Sequence, residues 1–420
     1  MGNSPHIVPI HTLDDDSLLN IFYLYRPFFL GEDESDKERL YGGDGLWDQG
    51  RWWYKLTHVC QRWRNLTLSA ASYLRLSLVC TNRTPVANML AHSPTLPLTV
   101  DYKGEAGITT EDEEGILLAF GQRHRLRHLR LFLPVRVLRK LIMAIDGEFP
   151  ILEYLILEPQ VVDSTALTLP ETLQAPNLRH LMLRSFTCAI RSRLHPTAVD
   201  LVTLPNLRLF WFRGAIAYLE AVVHQVTTPR LEKLQIQVPE ELPFSIPHLV
   251  QFINTTENLL RFDSAEIEFS SKRACVETYI RETDVYAFTI KVYCGHLDRQ
   301  VSSAAQFSKA FSQVLSAVEH LGFKHQVHSE SFEEHNNVDQ LEWRNLLRSF
   351  SNVKTLRIKH GLVEKLSGCL RLEDGEDAFE LLPELQKLTY FGSRNIGDTF
   401  SSFIDARQNA GRPVTLVHRN

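Results

Sequence analysis

No uncharged apolar run of about 18 residues, the length that a membrane-spanning helix needs, occurs in this 420-residue sequence. The N-terminus also lacks the basic and then apolar segments of a secretory signal, so we expect a soluble intracellular protein of the cytoplasm or nucleus. Basic residues are not in excess, because 45 Lys and Arg are set against 50 Asp and Glu and the net charge is −5. The composition therefore gives no reason to expect a membrane or a nucleic acid as partner.

Cysteine is sparse as well, with six residues of which the closest pair, Cys275 and Cys294, is nineteen positions apart. This spacing excludes a zinc ribbon and a small disulfide framework, and it predicts reduced thiols. The sequence contains no phosphate loop, no nucleophile elbow and no H-E-x-x-H motif. We therefore expect a chain that is not an enzyme and binds no cofactor. A hydrolase or transferase on the same frame would need a nucleophile and a base, and no such pair is recognisable.

One titratable cluster has the spacing of metal ligands: His320, His325, His328 and His335 with Glu330, Glu333 and Glu334. On a helix, His325 and His328 would share a face and could bind a divalent metal. The alternative is a solvated segment between two structural repeats. We favour that alternative and predict no metal site.

Two apolar patterns with helical spacing lie near the N-terminus. Residues 10–25 form the first, in which a cluster of aspartates precedes Leu18, Leu19, Ile21, Phe22 and Tyr25. The second forms one apolar stripe at intervals of three and four, through Trp53, Leu56, Val59, Cys60, Trp63 and Leu66. We expect two helices, with Cys60 as an inert contact residue on the second.

A polar insertion, residues 31–52, separates the two predicted helices. It contains the acidic run EDESDKE and three glycines, Gly42, Gly43 and Gly45. Such a segment buries too little apolar area to offset the entropy lost on ordering, so we expect it to be the least ordered part of the chain.

The pair of helices resembles the F-box, the helical domain through which substrate receptors of Skp/cullin/F-box ubiquitin ligases bind a Skp-type adaptor. The resemblance covers about residues 8–72, and it extends to fungal F-box proteins with a similar interruption and a leucine-rich C-terminal region. It rests on Leu13, on the Ile21-Phe22 pair and on the pattern of Val59, Cys60, Trp63 and Arg64, whereas Asp14 stands where the family has proline. The resemblance implies an adaptor contact through Leu13, Leu18, Ile21, Phe22, Val59, Cys60 and Trp63.

A repeated pattern occupies residues 73–420. Apolar residues at the first, fourth and sixth positions recur in motifs that start at Leu126, Leu152, Leu178, Leu207, Leu231, Val318, Val353 and Leu385, with degenerate copies near Leu260 and Phe288. Intervals of 24 to 35 residues, with helical patterns between the copies, are typical of leucine-rich repeats. We therefore predict an α/β fold: an irregular leucine-rich-repeat-like solenoid with a concave parallel sheet and outer helices, preceded by a small all-α domain over residues 1–72.

The third, fifth and seventh positions of each motif are expected to face away from the core. In the eight clear motifs they hold eight Lys or Arg and a single carboxylate. This predicts a basic surface with aromatic anchors that binds an acidic or phosphorylated protein segment through Arg130, Tyr154, Arg184, Trp211, Arg213, Lys233, Arg357 and Lys359. The alternative is that the basic residues only keep an open sheet soluble.

These patterns lead to one main functional hypothesis. The N-terminal helices would dock on a Skp-type adaptor and, through it, on a cullin, while the repeats would hold a protein substrate for ubiquitin transfer by other subunits. The alternative is a scaffold or interaction protein that acts outside a cullin ligase.

The insertion provides a test of the sequence interpretation. Deleting residues 32–45 should leave the thermal unfolding transition of the chain in place, because that segment contributes little buried apolar area. Differential scanning calorimetry of the parent and the deletion variant measures this, and loss of the cooperative transition would contradict the expectation.

Overall fold

The computed structural model describes residues 10–26, 51–104, 108–160, 167–170, 173–184, 186–187, 202–239, 245–283, 285–326, 340–359, 361–371, 379–391 and 400–419. The chain divides into two compact units, residues 1–161 with 172–175 and residues 162–171 with 176–420. Within the described ranges, no helix is both long enough and apolar enough to cross a membrane. The predicted insertion 31–52 lies outside these ranges except for Arg51 and Trp52, and Trp52 is a buried residue that begins a helix.

The first unit contains six α-helices among its described residues: α1 Asp15–Tyr25, α2 Trp52–Thr57, α3 Gln61–Ser69, α4 Val86–His92, α5 Thr110–Phe120 and α6 Val135–Ile142. Asp14 caps α1, because its carboxylate accepts a hydrogen bond of 2.6 Å from the backbone N–H of Ser17. The Phe22 ring meets the Trp63 ring edge-on at 4.8 Å between centroids, and Arg62 binds Asp15 and the Leu13 carbonyl. These contacts join α1 to α3.

The prediction of one continuous second helix is wrong. The helix stops after Thr57 and restarts at Gln61, because Cys60 adopts an extended backbone conformation and its sulfur accepts a hydrogen bond of 3.5 Å from the Trp63 N–H as an N-cap. Trp53 and Leu56, which precede the break, are buried, as the apolar stripe predicted. Val59 and Cys60 are exposed, so neither continues the buried part of the stripe.

Four parallel strands form the sheet of the first unit: β1 Leu78–Thr81, β2 Leu98–Lys103, β3 Leu126–Leu133 and β4 Tyr154–Pro159. Leu129, Leu131 and Leu133 of β3 are fully buried. The residues between them are half-buried on the opposite face, which confirms the predicted alternation.

The second unit contains a sheet with the strand order β6-β9-β11-β14-β13-β12-β15-β16-β17-β18. Its strands are β6 His180–Arg184, β9 Leu209–Arg213, β11 Lys233–Pro239, β12 Ser264–Phe269, β13 Arg273–Ile280, β14 Val285–Tyr293, β15 His320–His325, β16 Thr355–Ile358, β17 Lys387–Phe391 and β18 Thr415–Arg419. Two-residue strands pair outside it, β5 Leu167–Thr168 with β7 Phe186–Thr187 and β8 Val202–Thr203 with β10 Val226–Thr227.

Helices connect the strands of this sheet: α7 Ile216–Gln225, α8 Pro247–Asn254, α9 Leu297–Ala310, α10 Ser312–Leu315, α11 Gln340–Arg348, α12 Val363–Leu370 and α13 Ser401–Asn409. Seven of the eight predicted motifs begin two residues before a strand, as Leu178 precedes β6 at His180, and the eighth begins β3 itself. The strand and helix repeat of a mixed α/β fold is therefore confirmed.

The structure departs from the prediction in one place. The two degenerate copies are indeed strands, β12 and β14, but β13 lies between them and pairs antiparallel with both. Strand β13 was not predicted from the sequence. Short connections at residues 270–272 and 281–284 require antiparallel neighbours, because a parallel pair needs a crossover of a dozen or more residues. As a result β14 pairs with β11, β12 is displaced to pair with β15, and the parallel sheet is interrupted.

The 14-residue helix α9 returns the chain across this three-stranded meander. Its buried Gln300 donates hydrogen bonds of 2.7 Å to the Ser270 carbonyl in the β12–β13 turn and of 2.9 Å to the Cys294 carbonyl after β14. One amide side chain thereby satisfies a backbone carbonyl in the first turn of the meander and another just after its last strand.

A carboxylate joins two helices of the second unit. Glu220 of α7 is buried and accepts hydrogen bonds of 2.9 and 2.8 Å from the backbone N–H groups of His248 and Leu249 in the first turn of α8. A negative charge at that position also interacts favourably with the helix dipole.

Replacing Glu220 by Ala should lower the free energy of unfolding by about 1–3 kcal/mol, because two donors of α8 lose their acceptor. Urea denaturation measures the change. Glu232→Ala is the matched control, because Glu232 is exposed and its ion pair with Arg208 contributes at most about 1 kcal/mol. Equal destabilisation by the two variants would contradict the role of Glu220.

Candidate functional site

The first candidate site is an exposed apolar surface on the N-terminal helices. Ten large apolar side chains are exposed among the described residues, and seven of them lie between residues 10 and 73: Ile10, Ile21, Tyr23, Leu24, Tyr25, Val59 and Tyr73. Leu24 is 78% exposed and Val59 is 57% exposed. Such a concentration is typical of a surface that another protein covers.

The structure separates the residues that the F-box resemblance assigned to adaptor binding. Leu18 and Phe22 are buried between α1 and its neighbours, whereas Leu13 and Trp63 are half-buried. Ile21, Val59 and Cys60 are exposed. Leu24 was not among the predicted contact residues, although the unbroken apolar run from Ile21 to Tyr25 is wider than one buried stripe and is the signal that identifies it.

The second candidate site is the face of the second unit's sheet that is opposite its buried apolar positions. We call it the open face. Arg184 and Arg213 are cross-strand partners on β6 and β9, and both side chains are half-buried. Arg357 is exposed, with Lys359 two residues further along β16. Two guanidinium groups of this face lie over aromatic rings, Arg213 over Tyr293 at 5.3 Å and Arg357 over Phe391 at 5.7 Å.

Not every predicted binding residue is accessible. Trp211 and Lys233 are on the predicted face, but they are only 6% and 4% exposed, so neither side chain can anchor a partner. Arg130 and Tyr154 are half-buried and belong to the sheet of the first unit, where Tyr154 meets the His128 ring edge-on at 4.6 Å.

The predicted basic face is interrupted in the middle of the second unit's sheet. Three carboxylates, Glu266, Glu268 and Glu277, are on the open face of β12 and β13. Glu266 stands directly opposite Glu277, a like-charge pairing that destabilises an antiparallel pair. These side chains were not predicted, because β13 lacks the repeat pattern and the degenerate copies lack the motif positions that define an outward face.

Burial and neighbouring charges shift the pKa values of two groups on the open face, one upward and the other downward. Burial first, and then the Glu277 carboxylate, raise the pKa of Glu268, although Arg273, Lys291 and Lys359 act to lower it. Burial and the cations of Lys359 and Arg357 lower the pKa of Lys324 to about 8, and Lys324 also forms an ion pair with Glu266. The open face therefore carries a carboxylate cluster between two groups of cations.

The histidine cluster does not form a metal centre within the described residues, where no three metal-ligating side chains come together. His320 lies 2.6 Å from the Thr355 hydroxyl, and burial together with Arg281 lowers the pKa of its imidazole. Burial also lowers the pKa of His325. The other members, His328, His335, Glu330, Glu333 and Glu334, lie outside the described residues.

Four of the cysteines behave as packed core residues. Cys80, Cys275, Cys294 and Cys369 are buried thiols, and burial raises the pKa of the Cys80 and Cys369 thiols to about 12. These two are therefore protonated at neutral pH and unsuited to nucleophilic attack. Cys188 lies outside the described residues.

Comparison with known proteins gives little further information. No protein-family model matches the sequence, and no curated protein is significantly similar to it. A solved structure of the leucine-rich repeat-containing protein LegL7 from Legionella pneumophila aligns with 82% of this chain and 91% of its own length, at 11% identity and a TM-score of 0.27. A TM-score that low supports no conclusion about function. The F-box resemblance of residues 8–72 gains no support from these comparisons and stays a prediction.

The shifted carboxyl group of Glu268 gives a pH-dependent prediction. A raised pKa in the folded chain means that the protonated carboxyl stabilises the fold below the ordinary Glu pKa of 4.5, and that this stabilisation is lost as the pH rises through the folded-state value. Glu268→Gln should therefore raise the Tm at pH 7, and the gain should shrink towards zero below about pH 4.

Circular dichroism melts between pH 3.5 and 8 measure this difference, with the exposed Glu282→Gln as control. A gain in Tm for Glu268→Gln that does not depend on pH would show that the charge of Glu268 is not its cause.

Proposed function

We propose that this chain is a non-enzymatic adaptor: its N-terminal helices dock on a Skp-type protein of a cullin ubiquitin ligase, and the open face of its repeats holds a protein substrate. The observation that supports the proposal is the concentration of exposed apolar side chains on α1 and at the break between α2 and α3. Ile21 and Val59, two of the residues that the F-box resemblance assigns to adaptor contact, are among them.

The proposed mechanism is proximity. The adaptor contact fixes one part of the chain in the ligase, and the repeats hold a substrate, so substrate lysines reach a high effective concentration near the ubiquitin-transferring subunits. No covalent step takes place on this chain, and the protonated, buried thiols of Cys80 and Cys369 agree with that assignment.

Two buried residues favour a second candidate function. Leu18 and Phe22 are 0% and 1% exposed, so they stabilise the helical segment and are not available to a partner. Two of the residues expected to contact the adaptor are thus buried within the chain. This favours an interaction protein that presents the remaining apolar surface to a partner outside a cullin ligase. The two functions differ in the protein that covers Ile21, Leu24 and Val59.

Binding of a purified Skp-type adaptor and a cullin distinguishes the ligase adaptor from the interaction protein that acts outside a cullin ligase. The double variant Ile21→Asp, Val59→Asp should lose at least tenfold in affinity for the adaptor, because a carboxylate would be buried at each contact. Its fold should be retained, because both side chains are exposed. Surface plasmon resonance with purified adaptor measures the affinity.

Met143→Asp is the matched control, since Met143 is a 72% exposed apolar residue of the same unit that follows α6. It should bind the adaptor as the parent does. If the parent chain binds neither adaptor nor cullin, the ligase role is wrong, and the interaction-protein alternative gains support when the double variant also loses its cellular partners.

A further inference from the structure

A group of cations lies where the parallel strands β9, β11 and β14 end and the antiparallel strand β13 begins. The strand registers place Arg213, Gln237 and Lys291 in one row across β9, β11 and β14. Two residues after Lys291, Tyr293 stands opposite Arg273 of β13. All five side chains lie on the open face, because the residues that alternate with them along their strands are buried. We call Arg213, Lys291 and Arg273 the cation cluster.

The Tyr293 side chain brings the members of the cation cluster close together. Its hydroxyl donates a hydrogen bond of 3.1 Å to the side-chain oxygen of Gln237, so the ring leans from β14 towards β11. The Arg213 guanidinium lies over this ring, 5.3 Å from its centroid, and therefore reaches across β11 towards β14. The Cα atoms of Lys291 and Arg273 are about 7 Å and about 5 Å from that of Tyr293, which is within the reach of their side chains.

The charge of the cation cluster is not neutralised by direct contact. Its three side chains are half-buried, and none of them forms an ion pair with a carboxylate of the described residues. The Nε atom of Arg273 is buried and has no hydrogen-bond partner within the same part of the chain. Glu268 is close enough for Arg273 and Lys291 to act on its pKa, but burial and the Glu277 carboxylate outweigh them and the pKa is raised. A bound anion would supply the missing partner.

The chemistry of the cluster suits an oxyanion with more than one negative charge. A guanidinium that lies over an aromatic ring, as Arg213 does, keeps its edge available, and its planar fork can hold two oxygens of one anion. A single carboxylate would match only one of the three positive charges. A phosphoryl group on a side chain carries a charge of about −1.5 to −2 at pH 7 and has three strong acceptor oxygens, so it matches the cluster better.

The surroundings of the cluster favour one isolated phosphoryl group over a chain of them. Glu266, Glu268 and Glu277 lie on the neighbouring strands β12 and β13 of the same face. A nucleic acid that continued across the sheet from the cluster would meet these carboxylates and be repelled. A protein segment with one phosphorylated side chain concentrates its charge at the cluster and can pass the carboxylates with neutral or basic residues.

We propose that the cation cluster binds a phosphorylated side chain of a protein segment, with the Arg213 fork on the phosphoryl oxygens and Lys291 and Arg273 beside it. This rests on the proposed function in that the open face holds a protein substrate. It places the anion at one end of β9, β11 and β14, and it adds Lys291 and Arg273, which the sequence did not assign to binding.

The test uses the full chain and an array of nine-residue peptides that contain no Asp or Glu outside position 5. The first set carries phosphoserine, phosphothreonine or phosphotyrosine at position 5, the second carries the same residues unmodified, and the third carries Glu. The parent chain should bind the first set at least tenfold more strongly than either of the others. Equal binding of the phosphorylated and unmodified sets, or of the phosphorylated and Glu sets, would overturn the proposal.

Nucleic acid is tested in the same assay. Oligothymidylate should bind the chain more weakly than the phosphorylated peptides, because its successive phosphates would meet the carboxylates of β12 and β13. Binding as tight as that of the peptides would show that the face takes a polyanion, and the proposal would be wrong.

Two variants test the cation cluster itself. Arg213→Lys keeps the charge but loses the planar fork, and Lys291→Ala removes one cation, so each should weaken binding of the phosphorylated set at least tenfold. Lys387→Ala is the matched control, because Lys387 is an exposed cation on the open face of β17, and it should bind as the parent does. Calorimetry checks that each variant keeps its thermal transition. Undiminished binding by folded Arg213→Lys and Lys291→Ala chains, or an equal loss in the control, would contradict the assignment.

The adaptor variant separates this proposal from the proposed function. The Ile21→Asp, Val59→Asp chain should bind the phosphorylated peptides as the parent does, because its changes lie in the first unit. Selective binding of phosphorylated peptides by a chain that captures no Skp-type adaptor would support this inference and remove the ligase role. Adaptor capture without a preference for phosphorylated peptides would do the reverse.

Discussion

The fold depends on one constraint, the burial of alternate side chains from short parallel strands. Most strands of the two sheets are four to eight residues long, and none has enough apolar area to be stable alone. Stacking them in register places Leu234 beside Phe210 and Phe288, and Leu321 beside Ala265 and Leu356, as continuous buried rows. Helices such as α7 and α9 cover these rows, so each repeat is stabilised by its neighbours.

Only one face of each strand has to be buried, and this explains how the antiparallel strand β13 can be inserted into the sheet. Ala274, Val276 and Thr278 of β13 are buried in register with Val292, Ile290 and Phe288 of β14, so a strand of reversed direction continues the same core. The opposite face of β13 has no such requirement. Glu277 and its neighbours on β12 occupy it, and the chemistry of the open face changes there without disturbing the apolar layer.

A similar division governs the N-terminal helices. Leu18 and Phe22 lie one turn apart on α1 and pack inside, whereas Ile21 and Leu24 lie on other sides of the same helix and are exposed. A helix that is apolar nearly all round is stable in water only when its second side is small or is covered by a partner. The exposed apolar side chains of α1 are therefore the ones that we expect a partner to contact.

The sequence by itself determined which residues alternate inward and how often they recur. It predicted the strand positions of all eight clear motifs, because period-two burial and helical spacing are local properties of the chain. It did not predict the break at Cys60, where a thiol N-cap competes with a continuous helix. Only the tertiary structure decided that β13 reverses direction, that Trp211 and Lys233 are buried, and that three carboxylates meet between Arg213 and Arg357. Those features depend on which strands become neighbours, and strand order is a long-range outcome that local periodicity does not encode.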